Sequence, residues 1–153
     1  MLTEELKHYA RRFPEELLTQ GDLAVADEVL APDCIYHAPA PSPPGVEGMK
    51  QWVRALRRAF PDLRAIVEDE IAEGDRVVQR LTLSGTHTGP FLGIPPTGKR
   101  ATWQLVAIQR LGHDGKFAEH WSSVDLLDLQ RQLGAPPAAS AASDTDAAAK
   151  RDT

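Results

Sequence analysis

The first part of the chain carries its apolar residues at helical spacing. Leu6, Tyr9, Ala10, Phe13, Leu17 and Leu18 recur at three- and four-residue steps, which puts them on one helix face. Thr3 is the expected N-cap, with Glu4 and Glu5 behind it. Pro14 interrupts this run: its ring clashes with the preceding turn, so a kink or a split is expected there. Gly21-Asp22 ends that unit and caps a second helix over residues 23–30, which Pro32-Asp33 closes. Residues 34–37 read as a short strand, and residues 38–45, with four prolines, as a loop. A third helix is expected over 46–60, with Met49, Trp52, Val53, Leu56 and Phe60 on its apolar face.

The period then changes. Residues 63–73 alternate loosely, Glu73-Gly74-Asp75 is a turn signal, and residues 76–87 form a strand. Residues 88–98 are rich in Gly and Pro and form a loop. Residues 99–111 and 116–124 are two strands joined by a hairpin turn at His113-Asp114-Gly115. A short helix over 125–133 closes the domain, with Gly134 as its C-terminal cap. Helices first and antiparallel strands after is an α+β order. Strands this long suit a strongly curved sheet whose concave side the helices close.

Composition sets the boundary. Residues 135–153 include eight Ala and no Val, Ile, Leu, Met or aromatic residue, so they are expected to be a disordered tail behind a domain of residues 1–134. The net charge of -5 argues against a nucleic-acid partner, which calls for a basic stripe. No apolar run approaches the ~18 residues of a membrane span, and the N-terminus lacks the regions of a signal peptide. Cys34 is the single cysteine, so no intrachain disulfide forms and a cytoplasmic protein is expected. The chain contains no Gly-rich phosphate loop, no Gly-x-Ser-x-Gly elbow and no His or Cys cluster at zinc spacing. No lysine lies within an apolar strand stretch, which argues against Schiff-base chemistry.

The run from Gly85 through Thr-His-Thr-Gly-Pro-Phe-Leu-Gly-Ile-Pro-Pro-Thr-Gly to Lys99 carries a resemblance. So do Asp114-Gly-Lys-Phe-Ala-Glu-His-Trp121, Asp125 and the ending Gln132-Leu133-Gly134. Together these resemble the SnoaL-like polyketide cyclases, the ester cyclase branch of the nuclear-transport-factor-2-like superfamily. The resemblance implies a cone-shaped barrel: a curved, mostly antiparallel sheet wrapped around the N-terminal helices and enclosing one apolar pocket. It also implies intramolecular aldol ring closure on an apolar, carbonyl-bearing small molecule, with no metal or organic cofactor, and a homodimer paired through the outer sheet face. Gln79, Leu81, Leu83 or their neighbours would then be buried only in the dimer.

The family's acid/base falls at Asp125. A carboxyl in an apolar cavity can remove a proton alpha to a carbonyl and return one, because burial raises its pKa. Asp125 is equally suited to cap the last helix. Strand alternation puts Phe117, Glu119, Trp121 and Ser123 on one face, and Ala118, His120, Ser122 and Val124 on the other. His120 could orient the carboxyl or pass a proton. Ser122 departs from the many relatives that carry an acid there. His37 is expected at the pocket rim, and His87 either near ligand or pinning its loop. Tyr36, Trp52, Phe91, Trp103 and Trp121 could stack on a flat ligand, with Trp103 on the concave set Ala101, Trp103, Leu105, Ala107. An isomerase or dehydratase on the same fold, or a non-catalytic small-molecule-binding or scaffold protein, are the alternatives.

Overall fold

The computed structural model describes residues 2–134; the expected tail lies outside the described residues. Helix α1 spans Thr3–Ala10, and a π-helical segment, Phe13–Thr19, follows it. The split falls where Pro14 demands it. Pro14 sits in the first turn of the wide helix, where its missing N–H has no partner to lose. Leu6, Ala10, Phe13, Leu17 and Leu18 are all buried.

Helix α2 is short, Ala24–Val29, and the chain turns directly into strand β1, Leu30–His37. The strand therefore starts four residues before the expected one and absorbs Pro32-Asp33. An edge strand tolerates a proline, because its outward N–H is not needed, and the register of β1 slips between Leu30 and Ile35. Helix α3, Gly45–Ala59, buries Met49, Trp52, Val53 and Leu56.

Four strands follow: β2 Arg64–Glu73, β3 Arg76–Thr86, β4 Arg100–Leu111 and β5 Phe117–Val124. The sheet order is β1-β5-β4-β3-β2, antiparallel except for the parallel β1–β5 pair. β1 and β2 are its two edges, so the cone is an open sheet and not a closed barrel. Helix α4, Leu126–Gln132, ends at Gly134, whose φ of 77° and N–H bond to the Arg131 carbonyl (3.0 Å) make the expected left-handed stop. Among the described residues no helix is long and apolar enough to cross a membrane.

The concave face collects alternate residues of β3 and β4: Val77, Gln79, Leu81, Leu83, and Ala101, Trp103, Leu105, Ala107, Gln109, all buried. Gln79, Leu81 and Leu83 therefore lie inside, not on the outer face expected for them. Their alternates Val78, Arg80 and Thr82 take that face, because period-two geometry reverses with each residue. Cys34 is buried as core, and burial pushes its thiol up to about 11.

Candidate functional site

Strand β5 does not alternate cleanly. Its register against β4 shifts between Arg110 and Leu111, so that Arg110 faces Glu119 while Leu111 faces Phe117. This bulge turns Phe117 inward with His120, against the expectation that it shares a face with Glu119 and Trp121. Phe117 packs on Tyr9 in the core.

His120 is fully buried at the centre of a polar row that crosses the sheet. Its cross-strand partners are Tyr36 on β1 and Gln109 on β4. Nδ1 lies 3.1 Å from Gln109 Oε1, and Nε2 lies 2.7 Å from Ser122 Oγ. The amide oxygen only accepts, so Nδ1 carries the proton, and bare Nε2 accepts from the Ser122 hydroxyl. Phe13 and Tyr36 meet the imidazole edge-on, with centroids 4.9 and 5.6 Å away. Burial, reinforced by the charge of His37, pushes its pKa down to about 3. The imidazole is therefore neutral at any physiological pH.

The row continues on β3. Gln79 Nε2 donates to Glu70 Oε2 at 2.7 Å, and Arg11 holds Glu70 Oε1 at 3.0 Å. A carboxylate accepts only, so the Gln79 amide is fixed with Oε1 turned away from it.

Six buried polar atoms have no hydrogen-bond partner among the described residues: Tyr36 Oη, Trp52 Nε1, Gln79 Oε1, His87 Nε2, Trp103 Nε1 and Gln109 Nε2. Five of them bear a hydrogen to give. For His87 this follows from the other ring nitrogen. Nδ1 accepts from the Thr97 N–H at 3.2 Å and meets its hydroxyl at 2.9 Å, so Nε2 carries the proton. His87 thus pins the loop 88–98 and also presents a donor inward. Burial holds its pKa below the usual imidazole value, and burial raises that of Tyr36.

An aromatic file leads outward from this interior. Trp103 packs on Phe60 at 4.8 Å, Phe60 on Phe91 at 5.8 Å, and Phe91 on Trp52 at 6.1 Å. Trp52 and Phe91 line a cavity of about 230 Å³ between α3, the proline loop and the loop after β3. That second loop is held against α3 by the Thr88 and Gly89 amides, both donating to the Ala59 carbonyl at 3.0 and 3.2 Å. Only glycine fits there, since a Cβ on residue 89 would stand 2.2 Å from the Arg58 carbonyl oxygen.

The structure separates the remaining candidates from this interior. Asp125 is exposed; its Oδ1 accepts the Asp128 N–H at 3.0 Å and caps α4. It borders an outer depression with Gln104, Val106 and Ser123. His37 is half exposed on the outer face, 2.8 Å from Glu119 Oε2 and stacked on Trp121 at 5.1 Å with the rings 5° apart. The Arg76 guanidinium lies 5.5 Å from the Trp121 ring. Trp121 is thus part of an outer cluster, and the inward set is His120, Tyr36, His87, Trp103, Trp52 and Phe91. Gln79 was expected on the outer face, and Gln109 was not among the expected site residues. Their signal was available: each is a polar residue at an apolar-period position of a strand, beside Val77 and Leu81 or Leu105 and Ala107.

An open, curved sheet packed against helices, with aromatic groups and buried, unpartnered donors on its inner side, defines a cone of the α+β class. Comparison with known proteins narrows that class. Residues 8–133 match the family of SnoaL-like polyketide cyclases. The chain is 34% identical over 110 residues to the aklanonic acid methyl ester cyclase DnrD of Streptomyces peucetius, covering 71% of this chain and 74% of that one. It is 32% identical over 116 residues to the nogalonic acid methyl ester cyclase of Streptomyces nogalater, covering 75% and 84%. The solved structure of TsrD from Streptomyces laurentii superposes with a TM-score of 0.80 at 36% identity, over 89% of this chain and 99% of that one. The chain belongs to the SnoaL-like polyketide cyclase family.

Proposed function

We propose that the chain closes a ring by intramolecular aldol-type acid/base chemistry, without a cofactor, on an apolar small molecule bearing several carbonyl groups. One observation supports this most: among the described residues five buried N–H and O–H donors have no partner, against a single acceptor. Such donors complement carbonyl oxygens and stabilise the oxyanion of an enolate as it forms. Burial strengthens each one, because no water competes for it.

The proton steps fall to His120. Neutral Nε2 takes the proton from the carbon between two carbonyls, directly or through the Ser122 hydroxyl that it already holds. The carbanion attacks a ketone carbon of the same molecule, a C–C bond forms, and the imidazolium returns the proton to the new alkoxide. Desolvation alone makes His120 a weak base. An enolate held beside it by the donors supplies the counter-charge that raises its pKa at the moment of transfer. Asp125, capping α4 at the surface, takes no part in this scheme.

The test is turnover of aklanonic acid methyl ester and nogalonic acid methyl ester, the substrates in the relatives' names. Ring closure gives a product of unchanged mass and altered retention. The expected result is activity in the wild type, a loss of about 10²–10⁴ in His120→Gln, the range of general acid–base catalysis, and near-full activity in Asp125→Asn. Loss of activity in Asp125→Asn alone would return the acid/base to that carboxylate. The surface position of Asp125 favours a second reading, a ligand-binding protein without turnover. Binding of both esters with no product from either would establish that one instead.

A further inference from the structure

Helix α3 carries four cationic side chains, Lys50, Arg54, Arg57 and Arg58, and their partners differ. Arg54 pairs with Glu47, and Lys50 with Asp27. Arg57 donates to the carbonyls of Leu18, Thr19 and Pro61. Arg58 makes no ion pair or side-chain hydrogen bond among the described residues, and it lines the cavity between α3 and the two loops. Its neighbours there are apolar or uncharged: Trp52, Phe91, Pro41 and Ala55 form much of the wall, and Arg58 is the only charged lining residue. The buried Trp52 indole N–H, also on this wall, has no partner.

We propose that this cavity binds a carboxylate carried on a flat apolar body, with the Arg58 guanidinium and the Trp52 N–H as its polar contacts. A planar guanidinium matches a carboxylate with two parallel N–H donors, and the indole offers a third direction. A wall with two kinds of donor and no acid rejects a cation. Trp52 and Phe91 supply the flat surface. The volume of about 230 Å³ accommodates a two-ring aromatic. The inference takes this cavity, from which the aromatic file runs through Phe91 and Phe60 to Trp103, as the ligand entrance to the proposed site. It does not depend on what His120 does to a ligand further in.

The probes are 2-naphthoate and its neutral isostere methyl 2-naphthoate, titrated by calorimetry into the full chain. The wild type is expected to bind the carboxylate about twofold to fivefold more tightly at low salt, the scale of a partly exposed ion pair. That preference shrinks as salt rises. Arg58→Met keeps the apolar stem and should bind both compounds equally. Arg58→Lys keeps the charge and should retain part of the preference. Equal binding of the two compounds to the wild type, an undiminished preference in Arg58→Met, or binding of neither compound would each overturn the proposal. The first two of these outcomes leave the cavity as a ligand entrance. The ring-closure reading stands or falls separately, on the His120→Gln turnover assay.

Discussion

Lowering the pH should destabilise this protein before its carboxylates begin to titrate, and His120 should be the main cause. The imidazole is fully buried, and its pKa in the fold is about 3, against the ordinary value of 6.5. Between those two values the unfolded chain binds a proton that the folded chain refuses. Unfolding therefore takes up a proton, and stability falls as pH drops below 6.5 towards 3. For one such group the linkage amounts to a loss of about 2 kcal/mol between pH 7 and pH 5. His87, also held below its usual value by burial, adds to the wild-type loss with the same sign. Glu119 and Asp62, both lowered by hydrogen bonds, lose stability at lower pH still and are common to wild type and variant. The perturbation is His120→Gln, which keeps a donor and an acceptor on the residue but cannot titrate. The assay is urea unfolding at pH 7, 6 and 5, with the m-value checked for constancy. The drop from pH 7 to 5 should be smaller in the variant by about 2 kcal/mol. Equal drops in the two proteins would refute the buried, neutral imidazole and the mechanism built on it.

Other expectations follow from single contacts. Asp125→Ala should lose the α4 cap, at about 1 kcal/mol, while Asp125→Asn should melt near wild type; equal losses would mean the carboxylate does more than cap. Gly89→Ala drives a methyl group into the Arg58 carbonyl and should destabilise by about 3 kcal/mol, with the loop 88–98 becoming the first protease-sensitive site; an unchanged melt would show that the loop yields. We expect a homodimer through the outer sheet face, where Ile35 and Val106 are exposed near Trp121, so Val106→Glu should shift sedimentation from dimer to monomer. A wild type that sediments as a monomer at micromolar concentration would refute this pairing.

Much of the architecture was legible because it follows from spacing alone. The helix face from Leu6 to Leu18 and the apolar face of α3 obey a 3.6-residue period, and β3 and β4 obey a period of two. What escaped depends on pairing, which spacing does not encode. Pro32 reads as a stop in isolation, and only the edge position of β1 makes it admissible within a strand. The bulge before Glu119 exists because β4 and β5 differ by one residue across their hairpin, so the inward place of Phe117 needed the partner strand. Trp103 was identifiable as inward from its strand, whereas alternation along β5 left the face of His120 open. Asp125 was not placeable, since it lies one step beyond β5, where alternation ends and the geometry of α4 takes over.

The inward polar residues have a consequence for how such a site evolves. Gln109, His120 and Ser122 are joined by hydrogen bonds across β4 and β5, so a change at one leaves an unpaired group on the next. A buried donor that has lost its partner costs about 1–3 kcal/mol, while replacing both partners by apolar groups is close to neutral. The row is therefore easier to remove whole than to alter singly. Gln79 is tied in the same way through Glu70 to Arg11, at the rim of the sheet. The donors that stay unpartnered, the two indoles, His87 Nε2, Gln109 Nε2 and the Tyr36 hydroxyl, are each anchored by something other than the free atom: ring packing, a loop clamp, a hydrogen bond through the other amide atom, or a strand position. Their orientation is set before any ligand arrives. In the proposed ring closure, that preorganisation is what would let neutral side chains stabilise charge in a place where water does not reach.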